Sequence, residues 1–116
     1  MKYQITSDNI KLSPSMEALT KEKFERIENR IKHLPQDCCL ARVVLNSSPE
    51  DKFTVKINID LNGKKYFSDE TDYSLEVALN KTVKELIDMM EKDSIVQKRK
   101  KGEEEEKIEE VLSTEI

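Results

Sequence analysis

Glycine, histidine and cysteine are scarce in this chain, and each shortage removes a class of chemistry. There are 2 glycines in 116 residues. Gly63 sits in an Asn-Gly pair and Gly102 joins two charge blocks, so no glycine-rich loop can cradle a phosphate. The single histidine, His33, has no serine, cysteine or aspartate beside it in a recognisable catalytic spacing. The carboxylates are scattered over expected surfaces, so an enzyme is not expected. Cys38 and Cys39 are adjacent, too few and too close for a disulfide framework or a zinc site. They read as small apolar residues at the start of a strand, one facing in and one out. No apolar run approaches the ~20 residues of a membrane span, and the opening MKYQITSDNI has no hydrophobic signal segment. No metal, cofactor, membrane or small-molecule substrate is implied, and a cytoplasmic location is expected.

Charge is abundant, at 38% of residues against 36% hydrophobic. It is unevenly placed. Of 20 Lys and Arg and 24 Asp and Glu, residues 102–116 hold one and seven, a charge of −6, which leaves 19 against 17, or +2, in residues 1–101. The formal net charge of −4 is thus a property of the C-terminal stretch. Any nucleic-acid surface on the nearly neutral body must come from local arrangement. The composition divides the chain into an α+β domain over 1–101 and an acidic tail over 102–116, expected to be disordered because a core face is missing before Ile108.

The body alternates between strand and helix patterns. YQIT (3–6) reads as a short strand. Ser13 and Pro14 then make an N-cap and first helical residue, with Glu17 at the positive end of the helix dipole. Met16, Leu19, Phe24, Ile27, Ile31 and Leu34 form the apolar stripe of a helix that Pro35 is expected to stop. CCLARVVLN (38–46) reads as a strand, and SSPED as a turn. KFTVKINIDL (52–61) alternates cleanly, with Phe53, Val55, Ile57, Ile59 and Leu61 on one face and Lys52, Thr54, Lys56, Asn58 and Asp60 on the other. Asn62-Gly63 is a strong hairpin signal, because both positions of a type I′ turn need positive φ. KKYFSD therefore returns antiparallel. A second helix opens near Asp72 or Ser74 and can run toward Lys98; Leu75, Leu79, Thr82, Val83, Leu86 and Met90 form its stripe, widened by Ala78, Ile87 and Met89. The order β-α-β-β-β-α predicts a mainly antiparallel sheet with both helices packed on one face and a polar face left open.

At roughly 100° per residue, Lys23, Arg26 and Arg30 share one flank of the first helix, and Glu25 and Glu28 the other. Three long cations on one edge can follow a phosphate backbone without reading sequence; equally, they can pair with nearby Glu22 and Asn29 and keep the helix solvated. The second helix mixes Lys81, Lys84 and Lys92 with Glu85, Asp88 and Glu91. Lys98, Arg99, Lys100 and Lys101 add dense positive charge beyond it, and the open sheet face adds Lys52, Lys56 and Arg42. Tyr3, Tyr66 and Tyr73 are too dispersed for a base-stacking platform, so RNA would be held by backbone and shape.

The stretch ITSDNIKLSPSMEALTKEKFERIENRIKHL, followed at the right spacing by FTVKINIDLNGKKYFSDETDYSLEVALNKTVKELIDMM, resembles the hibernation-promoting factor and ribosome-associated inhibitor family. That family is also called protein Y or the ribosomal subunit interface proteins. The resemblance covers about residues 3–92 and lies in the combined order and spacing. It implies a fold similar to double-stranded-RNA-binding domains, docked on the small ribosomal subunit in the tRNA and mRNA channel, where it blocks translation and protects idle ribosomes under stress or in stationary phase. It also implies rRNA contacts from Lys23, Arg26 and Arg30 on the first helix and Lys81, Lys84 and Lys92 on the second. The length matches the short form, which lacks a further dimerisation domain. The chain departs from the family at ELIDM (85–89), where Glu85 and Asp88 stand in place of cations, which shifts the expected rRNA contact toward the first helix and Lys98–Lys101. The tail would then project along the mRNA path or toward basic ribosomal proteins. The alternative is a protein-interaction module of the same fold with weak or lost rRNA binding.

Overall fold

The structure, a computed structural model, describes residues 1–93. Within them run β1 (Lys2–Thr6), α1 (Pro14–Arg30), a 3-10 turn (Gln36–Cys38), β2 (Cys39–Ser48), β3 (Lys52–Leu61), β4 (Lys64–Asp72) and α2 (Leu75–Lys92). The expected extension toward Lys98, the block Lys98–Lys101 and the tail 102–116 lie outside the described residues. The four strands form one sheet in the order β1-β2-β3-β4, with β1 parallel to β2 and the other pairs antiparallel. This is the α+β fold expected from the sequence. The parallel pair follows from α1, which carries the chain back before β2 begins.

The alternation in β3 decides which face the helices cover. Val55, Ile57, Ile59 and Leu61 are buried, while Lys56 and Asn58 between them are exposed. Each enclosed aliphatic side chain contributes about 1.5–3 kcal/mol of transfer free energy. Ala41, Val43 and Leu45 of β2 continue the buried layer. Phe24, Ile27 and Ile31 from the first helical segment and Leu79, Val83, Leu86 and Met90 from α2 close it. Met89, expected to widen the α2 stripe, lies at its margin and is 37% exposed. The hairpin between β3 and β4 has positive φ at both Asn62 (55°) and Gly63 (95°), as a type I′ turn requires. Asp60 Oδ1 accepts the Gly63 N–H at 2.8 Å.

Both helix starts are capped: Ser13, as the sequence predicts, accepts from Met16 N, and Ser74, one of the two starts the sequence allows, accepts from Val77 N. The end of α1 differs. It stops at Arg30, well before Pro35, with Ile31 as C-cap. Leu34 precedes a proline and is pushed away from helical backbone angles. Gln36 Nε2 meanwhile donates to the carbonyls of Ile31 (3.1 Å) and Leu34 (2.9 Å), so those acceptors are satisfied without another helical turn. His33 consequently lies in the turn beyond the helix. Cys38 is exposed in the 3-10 turn, and β2 starts at buried Cys39.

Strand β1 pairs only as far as Thr6 opposite Val44. Beyond that point the Asn9 carboxamide takes over: its Nδ2 donates to Ser47 O at 3.0 Å and its Oδ1 accepts from Ser47 N at 2.9 Å. One side chain thus supplies the donor and acceptor that a neighbouring strand would offer.

Candidate nucleic-acid interface

Lys23, Arg26 and Arg30 do share one flank of α1, and that flank is where Lys23 and Arg30 meet carboxylates of α2. Lys23 Nζ lies 2.8 Å from Glu76 and 3.9 Å from Glu22, with its side chain 14% exposed. Arg30 Nε lies 3.8 Å from Glu91, both side chains mostly covered, and Arg30 also donates to the Arg26 carbonyl at 2.8 Å. Glu22 was readable as a neighbour of Lys23. Glu76 and Glu91 were not, because they arrive from a helix more than fifty residues away.

The α2 cations are engaged in a similar way. Lys81 donates to Asp72 at 3.0 Å, and this bond raises the lysine's pKa. The Asp72 carboxylate is held below its usual range first by the Ser74 backbone N–H and then by Lys81. Lys84 is 3.6 Å from Asp88, one helical turn on. Lys92 is exposed in the last turn. In α1, Lys21, Lys23, Arg26 and Arg30 stand against Glu17, Glu22, Glu25 and Glu28; in α2, Lys81, Lys84 and Lys92 stand against Glu76, Glu85, Asp88 and Glu91. Seven cations facing eight carboxylates make the helix layer close to neutral.

Glu85, where the sequence departs from the family pattern, is half-buried and turned onto β4. It accepts the Ser68 hydroxyl and shares a hydrogen bond with Glu70. A bond between two carboxyl groups needs one proton. Sharing it raises the Glu70 pKa above the ordinary 4.5 and lowers that of Glu85 below it, with Ser68 helping to lower the latter. The Glu70 contribution is therefore present in acid and lost as pH rises through its raised value. The Glu85 contribution is present above 4.5 and lost as pH falls through its lowered value. The pair is favourable in the window between the two, and above that window the bond has lost its proton. Glu70→Gln supplies a permanent N–H donor. Above that window it raises Tm by about 2–4 °C, the equivalent of a hydrogen bond worth about 0.5 kcal/mol. Thermal melts across pH should show that gain vanish as the medium approaches the ordinary carboxylate range; a gain independent of pH contradicts the shared proton.

The tyrosines divide by face. Tyr3 donates to Glu28 and sets its ring edge-on to Phe24, with centroids 5.4 Å apart. Tyr66 is buried and donates to Asp93 at 3.0 Å; burial first, then that bond, pushes its hydroxyl up to about 12. Tyr73 is 65% exposed, and Lys52 Nζ lies 5.1 Å from its ring centroid.

The open sheet face carries a feature that the sequence reading missed. Register aligns Gln4, Arg42, Asn58 and Phe67 in one cross-strand row, and Phe67 is 48% exposed. The available signal was the adjacency of Tyr66 and Phe67: in a strand, two neighbouring aromatics must point to opposite faces. Beside this row lies a depression of about 180 Å³ lined by Leu40, Arg42, Asn58, Ile59, Asp60 and Lys65. Over the four strands this face presents Lys2, Arg42, Lys52, Lys56 and Lys65 against Asp60 and Asp69, a surplus of three positive charges. The two layers thus differ in sign.

Among the described residues, no helix is long and apolar enough to cross a membrane, and no three His, Cys, Asp or Glu side chains gather to hold a metal ion.

The family model described as sigma 54 modulation protein / S30EA ribosomal protein matches residues 3–95. Among solved structures, the chain is similar to the N-terminal domain of Protein Y from Thermus thermophilus, with a TM-score of 0.70 and 20% identity, covering 80% of this chain and 99% of that one. It is also similar to a ribosomal subunit interface protein from Coxiella burnetii, with a TM-score of 0.66 and 18% identity over 81% and 98% of the two chains. No curated protein matches it in sequence. At these identities the structural likeness establishes the fold.

Proposed function

Because the chain belongs to the sigma 54 modulation protein / S30EA ribosomal protein family, we propose that it is a ribosome-associated factor that occupies the small subunit's tRNA and mRNA channel, blocks translation and stabilises idle ribosomes. The observation that carries this reading is the family match itself, which runs unbroken from β1 to the end of α2. Docking uses Lys23, Arg26 and Arg30 of α1 and Lys81, Lys84 and Lys92 of α2, continued by Lys98, Arg99, Lys100 and Lys101. Lys23, Arg30, Lys81 and Lys84 begin paired to carboxylates of the same chain. The Lys81–Asp72 and Lys84–Asp88 pairs are exposed and worth only about 0–1 kcal/mol each, so exchanging those carboxylates for an rRNA phosphate costs little, while Lys23 and Arg30, mostly covered, give up more. A phosphate backbone offers several such contacts at once, and it needs no catalytic group.

The test is co-sedimentation of the full chain with ribosomes across a salt series. Counterion release makes phosphate-driven affinity fall by about 10³-fold between about 50 and 200 mM salt when some six contacts form. Binding that falls this way and is displaced by added tRNA supports the channel reading. Failure to pellet at the lower salt overturns it. Salt-insensitive binding to ribosomal proteins alone would identify a protein-interaction module, a reading the near-neutral helix layer favours.

A further inference from the structure

We propose that the open face of the sheet is a second nucleic-acid surface, which takes single-stranded RNA by stacking a base on Phe67 and holding its phosphates with Arg42 and Lys65. The inference rests on the ribosome reading for the source of the strand; its chemistry belongs to a different face of the molecule.

Phe67 serves no core here. Tyr66 and Ser68 on either side of it are buried against the helices, while its own ring is half in water. An aromatic ring held on a rigid strand is a sequence-tolerant platform for a nucleobase, since every base has a π-face. The neighbouring depression has the remaining parts: an apolar patch from Leu40, and a polar rim in which Arg42 and Asn58 can meet a base edge. Arg42 is already oriented, its Nε donating to Gln4 Oε1 at 3.3 Å. The surplus of positive charge lies on this face and not on the helices, so a polyanion is drawn to this side.

A second exposed ring lies along the same strand direction. Tyr73, just past β4, is six residues from Phe67, or about 20 Å at the rise of a strand. Lys52 sits over it. Two rings, with Lys56 opposite Asp69 between them and Lys52 at Tyr73, suit an extended strand of several nucleotides, within the footprint of about 4–16 that such platforms cover. A duplex buries its base faces and would leave both rings unused. An acidic peptide would answer the charge but not the rings.

The test is fluorescence anisotropy of a labelled adenosine octaribonucleotide with the full chain at about 50 mM salt. Phe67→Ala should weaken binding about tenfold, and Arg42→Gln/Lys65→Gln should also flatten the log–log salt dependence by about 1.4 units. The chain has 0 tryptophans, so Phe67→Trp introduces a lone reporter whose emission the stacked base should quench. Equal binding by wild type and Phe67→Ala, an unquenched Trp variant, or no binding of the octamer each overturns the proposal. So does preference for an octaglutamate peptide, which would make this an acidic-peptide site. Wild type that pellets with ribosomes yet ignores the octamer fails this inference alone. Octamer binding through Phe67 without ribosome pelleting sustains it while the ribosome reading fails.

Discussion

A Lys23→Gln/Arg26→Gln/Arg30→Gln variant is expected to bind ribosomes about 10²-fold more weakly than the wild type. Each charge-assisted phosphate contact is taken as a net of about 1 kcal/mol after its internal partner is given up, so three give about 3 kcal/mol. Sedimentation titrations should also show the log–log salt slope fall by about three units. Glutamine is chosen because it keeps the aliphatic stem and the helix propensity while removing the charge. Arg30 and Glu91 are mostly covered, so melting curves are needed beside the binding data to separate lost contacts from lost fold. The converse change is informative. Glu76→Gln removes the carboxylate 2.8 Å from Lys23 and should strengthen ribosome binding by up to about fivefold, the most an exposed ion pair withholds. Full affinity in the triple variant would take α1 out of the interface.

The largest loss of stability is expected at Phe24. Its side chain is fully buried, and the Tyr3 ring meets it edge-on. Phe24→Ala removes the buried ring and leaves a cavity that α1 cannot close without dragging β1, because Tyr3 is also hydrogen-bonded to Glu28 of that helix. The cost is about 3–5 kcal/mol. A domain of this size has about 5–15 kcal/mol in total and sits toward the lower end. Urea denaturation should show the midpoint move far down with m nearly unchanged; a midpoint shift worth less than about 1 kcal/mol would mean the site collapses around the smaller side chain.

Local signals made much of the fold legible. Ser13-Pro14, the alternation through Val55 to Leu61 and the Asn62-Gly63 pair act within a few residues of themselves, and each appears where expected. The end of α1 is not legible from Pro35, because the side chain that satisfies the carbonyls beyond its Ile31 C-cap, Gln36, lies past that proline. In the candidate interface, the flank shared by the α1 cations was readable from helical periodicity. Their partners Glu76 and Glu91 were not, since pairing across helices depends on how α1 and α2 pack. Glu85 appeared as a negative charge among expected cations; in the fold it is spent on Ser68 and Glu70 of β4. Phe67 is not legible from the alternation of β3, because its exposure follows from the register that sets β4 opposite Asn58 on the open face.

The Asn9 carboxamide has a bearing on how this chain behaves in a crowded solution. An unpaired strand edge is a template on which another chain can add, the first step of sheet-mediated aggregation. Strand β2 has ten residues and β1 five, so part of β2 would present such an edge. By occupying Ser47's N–H and C=O together, Asn9 removes that docking point with one amide group. Self-association by strand addition is thereby steered away from the long inner strand, toward the outer edges, where Lys2 and Gln4 on β1 and Lys65 and Asp69 on β4 are exposed and make stacking of copies unfavourable.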